Sequence, residues 1–201
     1  MKLSNLFTLM RFLFAPFFFL LYYIPIWTSF ALLGRISAFA LIPLLAVFEF
    51  TDYLDGHYAR KHGEVSDFGK LFDPFADVML NLTVFLCAQA SVSGSGYMPP
   101  VIFLFILYRE FSMNFLRMIA AKKGIAIAAR KGGKLKTVFY IISGFYMLAV
   151  ESACRLSIAL PVSSGVLHGI AVALFAICLV LSYASFCDYL VHFVPLVRDD
   201  M

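Results

Sequence analysis

Charge is scarce in this chain. Only 14% of its 201 residues are Asp, Glu, Lys or Arg, 62% are hydrophobic, and the mean hydropathy is +0.90. A soluble domain is about a quarter charged and about half apolar, so this composition excludes one and points to an integral membrane protein. Metal-type cysteine spacing is missing too. Cys87, Cys154, Cys178 and Cys187 form no C-x2-C pair, and each lies in or beside an apolar run, where a free Cys reads as a small packed hydrophobe. The histidines at 57, 62, 168 and 192 show no ligand spacing. No internal repeat or linker divides the chain, which predicts one domain over residues 1–201. Arg11 interrupts the N-terminal apolar stretch and no small-residue cleavage site follows, so the start reads as an uncleaved interfacial turn rather than a signal peptide.

What the chain has instead is apolar runs, rich in Phe (23) and Tyr (10). Six of them, at about residues 6–24, 29–50, 70–92, 99–121, 135–150 and 165–193, lie near the ~20 residues that a bilayer crossing needs. Pro25 is expected to end the first. The connections after the first, third and fifth runs are poor in basic residues. Those after the second and fourth carry Arg60, Lys61 and Lys70, then Lys122, Lys123, Arg130, Lys131, Lys134 and Lys136. The positive-inside rule puts these connections and both termini in the cytoplasm. The fold class is therefore all-α, a polytopic membrane protein with six transmembrane helices and both termini cytoplasmic.

The few acids are concentrated. Between Thr51 and Asp77 the chain reads D-x2-D-G-x2-A-R-x8-G-x3-D-x3-D, formed by Asp52, Asp55, Gly56, Ala59, Arg60, Gly69, Asp73 and Asp77. Asp52 and Asp55 are three residues apart and Asp73 and Asp77 four apart, so each pair shares a helix face. Carboxylates at membrane depth need a compensating partner, and hard divalent cations take oxygen ligands of this kind. Two such ions stabilise both oxygens of a phosphoryl displacement. Gly56 and Ala59 leave room beside the acids, and Gly69 permits close approach. Arg60 is either a phosphate contact or an interfacial anchor. Glu49 precedes Asp52 by three residues, as a neighbour of the site or a packed acid, and Asp67 reads as a loop acid or helix cap.

Arg109 and Arg117 lie inside the fourth run, eight residues apart and on roughly one side of a helix. Glu110 can neutralise one of them, which leaves the other; with Lys134 and Lys136 they read as an anion site facing the acids. Asn5, Thr8 and Arg11, spaced by three, either line the same pocket or solvate the helix end. Asn81-Leu-Thr83 matches a glycosylation acceptor, but its position inside an apolar helix argues against that use.

The eight-residue pattern resembles the signature of the CDP-alcohol phosphotransferases. Further stretches carry the likeness: Asn5 to Arg11, Thr51 to Gly56, Lys70 to Asp77, Arg109-Glu110-Phe111 with Arg117, and Gly133-Lys134-Leu135-Lys136-Thr137. Together they reach about residue 140, and the bacterial branch that uses glycerol 3-phosphate is the most similar. The resemblance implies a homodimer in the bacterial inner membrane with a cytoplasm-facing cavity, CDP-diacylglycerol as donor and CMP as leaving group. It implies two ions, Mg2+ or Mn2+, on Asp52, Asp55, Asp73 and Asp77, with Asp77 also the general base. Gly56, Ala59, Arg60 and Gly69 would line the donor site. Arg109, Arg117, Lys134 and Lys136 would hold the acceptor phosphate. No nucleic-acid partner is implied. Val78 and Tyr140 depart from that branch, which usually has Lys and Gln there. A sister transferase using inositol phosphate, serine or a phospholipid is the alternative acceptor reading, and a divalent-cation transporter is the alternative of another class.

Overall fold

Lipid offers no hydrogen bonds to a peptide backbone, so apolar runs of this length must satisfy their N–H and C=O groups internally. In the computed structural model every run does so as a helix: α1 Leu3–Thr28, α2 Ala31–His62, α3 Asp67–Cys87, α4 Pro100–Lys122, α5 Lys131–Arg155 and α6 Ser164–Val197. The structure describes the backbone of residues 3–62, 67–124 and 131–197, and the side chains of 8–51, 71–124 and 132–193. No strand occurs among the described residues.

Two expectations about the first run are corrected. The N-terminal turn is not a separate element, because α1 is already helical at Leu3, and Pro25 does not end it, because the helix continues through Pro16 and Pro25 to Thr28. Membrane helices tolerate proline where neighbouring groups satisfy the loosened carbonyls. Around Pro25, which deprives the Leu21 carbonyl of its helical donor, the neighbouring carbonyls gain extra donors: the Thr28 hydroxyl to Ile24 at 2.8 Å and Arg155 to Tyr22 at 3.0 Å. The helix stops instead at Ser29, whose φ of 53° is left-handed. α5 ends in a Schellman motif: Ser157 has φ 54°, its N–H bonds Cys154 O, and the Ile158 N–H reaches back to Ala153 O at 2.9 Å.

α1 packs on α2 and α3, α2 on α5, α5 on α6, and α4 on α6 and α3. One apolar core joins all six helices, with Phe18, Leu41, Phe85, Ile106, Met147 and Phe175 fully buried or nearly so. The outer surface is apolar as well. Phe39 is 70% exposed and Val180 65%, an arrangement that water would not tolerate over so many residues and that lipid favours. Segments 8–28, 31–51, 132–155 and 164–193 are long and apolar enough to cross a bilayer on composition alone. α3 and α4 carry more charge, and α4 turns part of it inward, with Arg109 and Glu110 only 3% and 2% exposed. The alternating helices bring the starts of α1, α3 and α5 together with the later halves of α2, α4 and α6. This is the motif end. α2 has 32 residues, about 48 Å at 1.5 Å per residue, so its last turns extend past a hydrocarbon layer of ~30 Å.

The opposite end is closed by Glu151. Its Oε2 accepts from the Ser91 hydroxyl at 2.6 Å and the Tyr97 hydroxyl at 2.9 Å, and its Oε1 accepts from Arg155 Nε at 2.8 Å and the Val92 N–H at 3.3 Å. Arg155 also bonds Ser37 and stacks 4.5 Å over the Tyr22 ring. Burial pushes the Tyr97 phenol above its ordinary pKa, which keeps it a donor. Removing one member of a buried ion pair strands the other charge, at a cost of about 3–5 kcal/mol. Glu151→Ala should therefore lower thermal stability in detergent by that order, and an unchanged unfolding temperature would contradict the clamp.

Candidate functional site

The motif end is built from α1 outward. Thr8 and Arg11 share one face of α1 and are 1% and 2% exposed. The Thr8 hydroxyl donates to Asp73 Oδ1, and Arg11 Nη1 pairs with Asp77 Oδ1. Two donors one turn apart thus meet two acceptors one turn apart on α3. Asp77 keeps 39% of its side chain exposed. Asn81, in the rejected glycosylation match, donates Nδ2 to the Asp77 carbonyl at 2.8 Å.

The opposite wall is built on Glu110 of α4. Arg109 Nη1 donates to its Oε2 at 3.0 Å, while Lys136 Nζ at 2.8 Å and the Tyr140 hydroxyl at 2.9 Å both reach Oε1. The Tyr140 hydroxyl lies 3.0 Å from Ser182 Oγ, and Arg109 Nε donates to the Ser182 carbonyl at 3.0 Å. α4, α5 and α6 are therefore tied through one carboxylate. Charge-assisted bonds of this kind are roughly twice as strong as neutral ones.

Between the walls lies a cavity of about 110 Å³. Arg11 and Asp77 face Glu110, Arg117, Lys136 and Tyr140 across it, with Glu49 from α2 on the rim. Arg117 has no ion-pair or hydrogen-bond partner among the described residues, so its guanidinium is available to an anion.

The expected site residues divide into three groups. Arg11, Asp77, Arg117 and Lys136 come together in the cavity wall, and Thr8 and Asp73 adjoin it. Arg109 lies behind the wall on Glu110, and Lys134 is exposed on the first turn of α5, away from the cavity. The side chains of Asn5, Asp52, Asp55, Gly56, Ala59, Arg60 and Gly69 lie outside the described residues. Val78 and Tyr140, the two departures from the family pattern, both line the cavity. Ser182 is the participant that sequence reasoning missed; it sits in an apolar run with nothing around it to mark it.

The donor chemistry suits a hard divalent ion. Asp73 and Asp77 supply carboxylate oxygens one turn apart, and among the described residues the cavity wall contains no thiol or imidazole, which disfavours softer metals. Three acidic, His or Cys side chains are not grouped among the described residues; Asp52 and Asp55 would have to complete such a set.

Comparison with known proteins agrees with this geometry. A family model described as CDP-alcohol phosphatidyltransferase matches residues 1–184. The CDP-diacylglycerol–glycerol-3-phosphate 3-phosphatidyltransferase of Treponema pallidum is 38% identical over 98% of this chain and 92% of its own length. A probable phosphatidylglycerophosphate synthase of Mycobacterium tuberculosis is 32% identical over 94% of this chain and 79% of its own. The Rickettsia typhi protein with the same name as the Treponema one is 33% identical over 68% and 70%. With a match across nine-tenths of its length and an acid-and-cation cavity at the motif end, the chain belongs to the CDP-alcohol phosphatidyltransferase family.

Proposed function

We propose that this enzyme transfers the phosphatidyl group of CDP-diacylglycerol to glycerol 3-phosphate, giving phosphatidylglycerophosphate and CMP. The observation that carries the reading is the cavity in which Asp77 faces Arg117 and Lys136. A carboxylate able to accept a proton thus lies opposite two cations able to hold a phosphate. At about 110 Å³ the hollow is small beside the ~300–1,000 Å³ of a typical pocket for larger ligands. It suits a small phosphorylated alcohol, while the donor's acyl chains stay in lipid.

In this scheme Arg117 and Lys136 bind the acceptor phosphate, Arg109 supports from behind, and Lys134, exposed on the first turn of α5, adds long-range attraction for the anion. Asp77 takes the proton from the attacking hydroxyl. The new O–P bond forms as the bond to CMP breaks, and CMP leaves with the electron pair. Thr8 and Arg11 hold Asp73 and Asp77 in orientation. Asp52, Asp55, Asp73 and Asp77 are assigned as ligands of two divalent ions, Mg2+ or Mn2+. When bound, such ions supply charge neutralisation for the donor pyrophosphate and the departing CMP. Gly56, Ala59, Arg60 and Gly69 are assigned to the donor. Family membership favours this chemistry over cation transport.

The proposal extends to topology. We read residues 1–201 as one membrane domain of six spans in a bacterial inner membrane, working as a homodimer. The basic residues near the motif end support cytoplasmic termini and a cytoplasm-facing site.

Three outcomes follow. Asp77→Asn should abolish CMP release while retaining CDP-diacylglycerol binding, since general-base help alone is worth ~10²–10⁴-fold; full activity would remove the base. Chelation should stop turnover and added Mg2+ or Mn2+ should restore it, and activity indifferent to chelator would exclude the ions. Arg117→Ala should raise the KM for glycerol 3-phosphate by the equivalent of ~1.5–3 kcal/mol, the worth of a hydrogen bond to a charged group, with little change for the donor. CMP release by purified enzyme, scored across glycerol 3-phosphate, inositol phosphate and serine, tests the acceptor itself.

A further inference from the structure

Glu110 neither touches the motif acids nor has a role in the scheme above, yet three donors from two helices converge on it. We infer that Glu110, clamped by Tyr140, is a positioning residue that sorts the cations of the acceptor site: Oε2 withdraws Arg109 from the cavity and Oε1 holds Lys136 at its wall. This inference rests on the acceptor reading above and deepens it.

The two oxygens are used differently. Oε2 takes Arg109, whose Nε is committed to the Ser182 carbonyl and whose guanidinium lies 5.8 Å over the Phe186 ring. Arg109 is 3% exposed and is not in the cavity wall. Oε1 takes Lys136, which lines the cavity, and the Tyr140 ring sits 4.7 Å from the same ammonium. A lysine ammonium has three donors. One is held by Glu110 and one side is covered by the ring, so the remainder can face an anion. Lysine's long stem has many rotamers, and holding it beforehand lowers the cost of binding.

Charge supports the same conclusion. Counting Arg109 behind the wall, the cations Arg109, Arg117 and Lys136 meet one carboxylate, Glu110, and this cluster carries +2, while the facing side, with Arg11 against Glu49 and Asp77, carries −1. A phosphate monoester carries about −1.5 to −2 at neutral pH. The wall thus matches a monoester better than a singly charged diester or an uncharged alcohol.

The test is kinetic, on full-length enzyme in detergent with CDP-diacylglycerol and whichever acceptor the wild type uses best. Glu110→Gln keeps the shape and removes the charge; it should raise the acceptor KM at least tenfold and leave the donor KM within twofold. Tyr140→Phe keeps the ring and removes one donor, and should raise the acceptor KM about three- to tenfold with kcat unchanged. The decisive reading is the double-mutant cycle. The Glu110→Gln effect should largely vanish in a Lys136→Ala background and persist in Arg117→Ala. Equal changes in both KM values, or full additivity with Lys136→Ala, would make Glu110 merely structural and overturn the inference. A wild type that prefers an acceptor other than glycerol 3-phosphate would overturn the acceptor reading alone, since the cycle is then run with the preferred one.

Discussion

Arg11 meeting Asp77 across the α1–α3 contact is the interaction on which the motif end depends. A guanidinium and a carboxylate inside a bundle are each costly alone, and breaking such a pair costs more than either contact gains. Thr8 on Asp73 adds a second contact one turn away. Together the two contacts set both the rotation of α1 about its axis and its position along α3. α1 also packs on α2, and α2 on α5, so that register passes to the helix carrying Lys136. The cavity exists because these contacts hold one wall while Glu110 holds the other.

The two ends of the bundle use the same chemistry for different purposes. Each has a carboxylate and an arginine on one helix, with a tyrosine and a serine brought to them from other segments. Around Glu151 every named donor is spent within the protein, and the ion pair is sealed. Around Glu110 the cluster opens onto the cavity through Lys136 and Arg117. Access, not composition, separates a clamp from a binding wall. It also explains why two arginines on one helix have different surroundings: Arg109 has a carboxylate and a carbonyl within reach, and Arg117 lines the cavity.

Much of this was legible in the sequence, for physical reasons. Helices in lipid have no competitor, so six apolar runs gave six helices, although α2 continues to His62, well past the expected end near residue 50. Asp73 with Asp77 and Thr8 with Arg11 could be paired because helical spacing alone decides which side chains share a face. The Glu110 pairing was foreseen for one arginine, but not which one. That choice depends on α6 supplying the Ser182 carbonyl, a long-range contact without local pattern. Tyr140 was visible only as a departure from the family; its hydroxyl role needed the packing of α5 against α4 and α6. The first helix ran past Pro25, where Arg155 of α5 bonds the Tyr22 carbonyl of the same turn, a contact that spacing along one helix cannot reveal.

The reacting partners in the proposed scheme come from different phases, and this restricts where the chemistry can occur. A phosphorylated acceptor arrives from water and needs a cationic wall with some solvent access, as Asp77 has at 39% exposure. A diacyl donor arrives from lipid and needs apolar helix faces beside that wall, as on the exposed surfaces of α1 and α2. Neither condition is met at the bilayer centre or in bulk water. Both are met where α2 leaves the hydrocarbon and carries its acids onward past Thr51. Sharing one carboxylate between two cations leaves positive charge at that boundary, poorly screened while the cavity is small and strengthened as water is displaced. The anion that enters relieves that charge, so the wall binds most strongly when the acceptor has excluded water from the hydroxyl that must react.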